Sequence, residues 1–73
     1  MVMEISNNIQ KLRWEKGMSQ RDLASKSGLS RSTIADIENG IEEPKQSSMI
    51  AIARALNLPV GEVFDLEWRN KGI

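Results

Sequence analysis

A chain of 73 residues with neither histidine nor cysteine has few means of making or breaking bonds. The imidazole that most often moves protons is missing, and so is the thiolate that attacks carbonyls or holds zinc. What remains is hydrogen bonding and charge, and residues 20 to 39 concentrate both: Gln-Arg-Asp-Leu-Ala-Ser-Lys-Ser-Gly-Leu-Ser-Arg-Ser-Thr-Ile-Ala-Asp-Ile-Glu-Asn. Ile34 and Ile37 recur at i, i+3. Relative to that apolar pair Ser32, Ala35, Asp36 and Asn39 project outward on helical spacing, with Arg31 flanking them at the N-terminal end. A guanidinium, a hydroxyl, a carboxylate and an amide on one helical face can recognise a surface of donors and acceptors. With no glycine-rich phosphate loop, and with carboxylates on solvated helix faces or in a loop, an enzyme is not expected.

The elements that must position this face are legible around it. Leu23 and Ala24 lie on the inner side of a preceding short helix, and Ala24 is small where the second helix must approach. Gly28 sits at the turn, where a positive φ ends the first helix without a Cβ penalty. Ser19 with Asp22 three residues on forms a capping-box start, and Ser30 is a ready N-cap for the second helix. Two short helices hinged at a glycine make a helix-turn-helix, the arrangement that lays one helix in the major groove of DNA.

The rest of the chain supplies support. A first helix is predicted from about Ile5 to Lys16, with Ile5, Ile9 and Leu12 as its buried stripe and Gly17 as its stop. Asn39-Gly40 closes the helix-turn-helix, and Ile41 to Pro44 form a loop. A fourth helix runs from about Lys45 to Leu56, burying Met49, Ile52, Ala53 and Leu56, and Asn57 ends it. Pro59 opens a short fifth helix through Glu62 to Phe64. The expected fold is therefore all-α, with a core over about 5–64. In the tail, 65–73, Leu66 and Trp68 alternate with Asp65 and Glu67 behind Phe64, a period of two that suits a strand. Met3-Glu4-Ile5 alternates more briefly. Either the tail pairs with the N-terminal segment, a second subunit or both, or Phe64 completes the core and the rest frays.

Composition adds limits. No apolar run approaches the roughly 20 residues of a membrane span, and no basic-then-apolar leader opens the chain, so a cytoplasmic location is expected. Net charge is zero, which alone argues against a nucleic-acid binder. Its distribution does not. Lys11, Arg13, Lys16, Arg21, Lys26 and Arg31 face only Glu15 and Asp22, whereas Asp36, Glu38, Glu42 and Glu43 follow with no base between positions 32 and 43. The molecule is polarised, and its long-range attraction to DNA should be weaker than that of a basic relative.

At this point the chain resembles the phage repressor and Cro family of Xre-type regulators. The resemblance is carried by Ile-Gln-Lys-Leu-Arg at 9–13, Lys-Gly-Met-Ser-Gln at 16–20, the segment from Asp22 to Ile34, Ile-Glu-Asn-Gly at 37–40, Ile-Ala-Arg-Ala-Leu at 52–56 and Val-Gly-Glu-Val-Phe at 60–64. It implies a five-helix, lambda-repressor-like DNA-binding domain and double-stranded DNA as partner. It implies that Arg31, Ser32 and Asp36 face base edges while Gln20, Thr33 and Asn39 hold phosphates. Lys45 is the basic residue near the loop that could join them. Arg31 could instead be a solvated surface charge, and Asp36 could simply repel the backbone. Arg13 is implied to pair with Glu38 as a structural ion pair rather than to touch DNA.

The resemblance further implies a homodimer on a partly palindromic operator, with half-sites ~34 Å apart. Phe64, Leu66 and Trp68 are the candidate interface. No cofactor, metal or small-molecule effector is called for. Two departures complicate this picture: Ile41-Glu42-Glu43 stands where relatives often carry lysine or arginine, and Asp36 stands where they carry a neutral or basic residue. These keep open a protein-binding role on the same fold, as an antitoxin or an antagonist of another regulatory protein. Trp14 falls opposite Ile5 on the first helix and is read as covering the aliphatic stem of a neighbour rather than as a contact surface.

Overall fold

The computed structural model describes residues 2–69. In chain order these form β1 (Val2–Asn7), α1 (Ile9–Glu15), α2 (Gln20–Ser27), α3 (Arg31–Glu38), α4 (Gln46–Leu56), α5 (Val60–Val63) and β2 (Phe64–Arg69). The helices surround a core in which Ile9, Leu23, Ile34, Ile37, Ile52, Leu56 and Val63 are fully buried. Each of the five helices contributes at least one of them. α2 packs against both α3 and α4, so the central helix pair rests on the fourth helix.

The local signals around the turn are realised. Ser19 Oγ accepts from the amide of Asp22, and the Asp22 carboxylate accepts from the amide of Ser19, each at 3.0 Å. Ser30 Oγ accepts from the amide of Thr33 at 3.0 Å, capping α3. Gly28 has φ +77°, and a Cβ built there would meet nothing within 4 Å. Its requirement is therefore backbone conformation and not space. Asn57 takes the same left-handed region at φ 59° and ends α4.

The first helix differs from expectation. It begins at Ile9 and not at Ile5, because Val2–Asn7 form a strand antiparallel to β2, in the register Ile5↔Leu66 and Asn7↔Phe64. The asparagines make the change of direction. Asn7 Oδ1 accepts from the amide of Ile9 at 3.1 Å, and Asn7 Nδ2 donates to the carbonyl of Ile37 at 3.0 Å. The amide of Asn8 donates to the carbonyl of Val63 at 2.9 Å. A segment whose apolar spacing suited a helix is extended because β2 offers it a partner strand. Over 65–69 the tail pairs with the N-terminal segment, and 70–73 lie outside the described residues.

Smaller differences follow from the same pairing. α5 ends at Val63, since Phe64 is already extended at φ −125°, ψ 137°. Phe64, grouped above with the subunit-interface residues, is instead 3% exposed and completes this chain's own core. Leu66 is 55% exposed, and Trp68 lies in β2 with its side chain outside the described residues.

The two caps make separable predictions. Ser30→Ala should destabilise the domain by about 1 kcal/mol in urea unfolding, the usual cost of losing such an N-cap. Asp22 is held below the ordinary carboxylate value, chiefly by the backbone hydrogen bond from Ser19, then by the Ser19 hydroxyl and the nearby Lys26 and Arg21. A lowered folded pKa stabilises fully above the unfolded pKa, and that stabilisation is lost as pH falls through the folded value. Wild type and Asp22→Asn should thus differ in unfolding midpoint at neutral pH and converge in acid.

Candidate nucleic-acid interface

The residues that could meet a ligand stand on a frame held by one buried ion pair. Arg13, on the inner side of α1, donates through Nε to Glu38 Oε2 at 3.1 Å and through Nη2 to Glu38 Oε1 at 2.9 Å. The two side chains are 7% and 4% exposed. The remaining guanidinium nitrogen, Nη1, donates to the carbonyl of Met18 at 2.9 Å. Gln20 Nε2 donates to Glu38 Oε2 at 3.3 Å. One carboxylate therefore joins the inner face of α1, the start of α2 and the end of α3. Among the described residues no buried side-chain nitrogen or oxygen lacks a partner.

On this frame the N-terminal ends of α2 and α3 meet at an open cleft of about 280 Å³, lined by Ser19, Gln20, Arg21 and Arg31. Arg21 and Arg31 are exposed. Two guanidiniums beside a helix N-terminus, where first-turn N–H groups lack partners within the helix, form a surface suited to phosphate and to base edges. Asp22 sits in the same first turn, but its carboxylate is turned back onto the amide of Ser19.

The expected contact residues do not all fall together. Arg31 and Ser32 are exposed at the start of α3, while Asp36 is half-buried one turn further on. The Asp36 carbonyl accepts from the amides of Ile41 and Glu42 at 2.9 and 3.1 Å, tying the following loop to the helix. Thr33 is half-buried, and its hydroxyl accepts from Ser30 Oγ at 2.8 Å, so it is engaged within the cap. Gln20 lines the cleft, but its side-chain amide is directed to Glu38. Asn39 is the exposed C-cap of α3. Lys45 is exposed at the start of α4 and is not part of the cleft wall.

Arg21 was seen in the sequence only as one of several basic residues. Its place beside Gln20 at a helix start was the available signal. Glu42 and Glu43 line a groove separate from the cleft, with Ile5 and Phe64, and Pro44 at the end of this loop is buried. Trp14 is 67% exposed on α1.

A family model described as helix-turn-helix matches residues 9–63, from the start of α1 to the end of α5. The chain belongs to this helix-turn-helix family. It is 41% identical over 56 residues to the HTH-type transcriptional regulator y4dL of Sinorhizobium fredii, a match covering 77% of this chain and 29% of that protein. It is 38% identical over 65 residues to the immunity repressor of Bacillus phage phi105, covering 89% of this chain and 45% of the repressor. The chain thus spans less than half the length of either relative. Among solved structures, the restriction-modification controller protein C.AhdI of Aeromonas hydrophila superposes with a TM-score of 0.73 at 35% identity, over 74% of this chain and 82% of that one. The resemblance to phage repressors seen in the sequence thus extends through the helical core. Within the described residues, no helix is long and apolar enough to cross a membrane.

The ion pair gives the sharpest test of this frame. Arg13→Met leaves the Glu38 carboxylate buried without its counter-charge and should cost about 3–5 kcal/mol in urea unfolding. Arg13→Met with Glu38→Leu should recover much of that loss, since the double replacement leaves no lone charge inside.

Proposed function

We propose that this chain is a sequence-specific DNA-binding transcriptional regulator, acting as a repressor on a partly palindromic operator by occluding polymerase. The observation that carries the reading is the exposed start of α3, Arg31 and Ser32, set beside Arg21 and the N-terminus of α2 in one cleft. α3 enters the major groove. Arg31 donates bidentately to a guanine, Ser32 donates or accepts, and Asp36 accepts from a cytosine amine. Asn39, Thr33 and Lys45 hold phosphates on either side. Gln20 contributes through its backbone N–H in the first turn, its side-chain amide being occupied by Glu38.

The protein works in the cytoplasm as a homodimer, as half-site recognition with one short reading helix requires. The paired strands supply the contact. Leu66 is the large apolar side chain of β2 that remains open once Phe64 is buried, and Trp68 follows it in the strand. The phi105 immunity repressor and the C.AhdI controller protein support the regulatory role by similarity.

Selection from a randomised DNA pool, followed by titration of the winners at several salt concentrations, tests the whole reading. A palindromic consensus should emerge. Arg31→Ala should lose about 1–3 kcal/mol of discrimination at one base position per half-site. Lys45→Ala should weaken all sequences alike and lower the salt slope by about 1. Leu66→Lys should reduce operator affinity with its monomeric fold intact. Absence of any enriched sequence would transfer the reading to a protein-binding antitoxin or antagonist on the same fold.

A further inference from the structure

Among the described residues, two features outside the guanidinium cleft have opposite electrical surroundings. One is the groove of about 440 Å³ between β1 and the loop after α3, with Ile5, Ile37, Pro44 and Phe64 among its walls. Ile41, 75% exposed, and the carboxylates of Glu42 and Glu43 also line it. The other is Trp14, 67% exposed on α1. Lys11 lies one turn earlier on the same side of that helix, and Lys16 follows at its end, against Glu15.

We propose that these are the two halves of one contact: Trp14 of one copy of this chain seats in the groove of a second copy, with Lys11 facing Glu42 and Glu43. The chemistry matches at each point. An indole is a large apolar body with a single N–H donor, and it favours a site with apolar walls and an acceptor at the rim. The groove, more polar than apolar in its lining, offers the exposed Ile41 to the ring and the carboxylates of Glu42 and Glu43 to the N–H and the lysine ammonium, with Glu4 a third acid on its wall. Its volume admits an aromatic side chain with room for the adjoining helix surface.

Charge selects this occupant over the strand ribbon. β2 carries Asp65 and Glu67 beside Leu66, so inserting it would set carboxylate against carboxylate. The chain's zero net charge leaves no long-range repulsion between copies. No residue of α1 lines the groove, so the two patches are different surfaces, and a copy that has donated its Trp14 still has its own groove open. In the arrangement proposed, that groove takes a third copy, so the contact continues from copy to copy. It uses neither Leu66 nor Trp68, the β2 residues assigned to the homodimer, although Ile5 and Phe64 of the paired strands wall the groove.

Sedimentation velocity of the full chain across a concentration series tests the proposal. The wild type should grow beyond a dimer as concentration rises. Trp14→Ala, and separately Glu42→Lys with Glu43→Lys, should weaken that growth by about tenfold or more, as expected for an aromatic anchor and its charged rim. Leu66→Lys should remove the strand dimer and leave the concentration-dependent growth. A mixture of the Lys11→Glu chain with the Glu42→Lys, Glu43→Lys chain should associate more strongly than either alone, because each variant's α1 then suits the other's groove. In a Trp68→Phe background, Trp14 emission should shift to the blue with concentration and return in high salt. Identical sedimentation of wild type and Trp14→Ala at every concentration overturns the proposal, as does a mixture that associates no more than its components.

Discussion

The arrangement depends on one carboxylate. Glu38 is almost wholly removed from water and accepts hydrogen bonds from Arg13 and Gln20, which belong to different helices. Burying two charges is expensive, and their attraction offsets that cost only in good geometry with the remaining donors satisfied. Both conditions are met here: the pair is bidentate, and the third guanidinium nitrogen reaches the carbonyl of Met18. The value of such a pair is in specification. Apolar contacts tolerate sliding, but a guanidinium fork meets a carboxylate in a narrow range of positions. The pair therefore fixes where α3 ends relative to α1, and with it the direction in which Arg31 points.

This constraint links stability to recognition through Gln20. Its side chain belongs to the buried frame, while its backbone stands at the start of α2 beside Arg21 and Arg31. The surface that would meet DNA is thus built directly on the frame, without a flexible segment between. Caps reinforce it at both helix starts, where the hydroxyls of Ser19 and Ser30 hold the first turns. A helix only eight residues long, as α3 is, has little intrinsic stability, so its rigidity comes from its neighbours.

Neutral composition conceals a division of surfaces. The guanidiniums of Arg21 and Arg31 gather at one cleft, and Glu42 and Glu43 line a different groove against β1. The two amide bonds to the Asp36 carbonyl hold the start of this loop against α3, and buried Pro44 anchors its other end. A count of charges, or their order along the chain, cannot express this separation, because it depends on where the loop turns.

Much of the helical core was legible in the residues. Gly28, the Ser19–Asp22 box and Ser30 act through bonds spanning a few residues, so local spacing identifies them without knowledge of the fold. The Ile34 and Ile37 repeat likewise marks a buried face wherever the helix packs. The start of α1 was not legible. Ile5 fits the helical stripe of Ile9 and Leu12, and only the presence of β2 alongside makes it a strand residue opposite Leu66. Phe64 was ambiguous for the same reason: an aromatic in an alternating tail can serve a subunit interface or its own core, and packing against Val63 and the helices decided for the core. What the sequence by itself determined was every feature set by neighbours in the chain: helix caps, turn conformation and the apolar periodicity of a helix-turn-helix. Only the tertiary structure decided which distant strand captured the N-terminus, which surface the acidic loop lined and that Trp14 stayed exposed, because those outcomes are competitions between partners far apart in the chain.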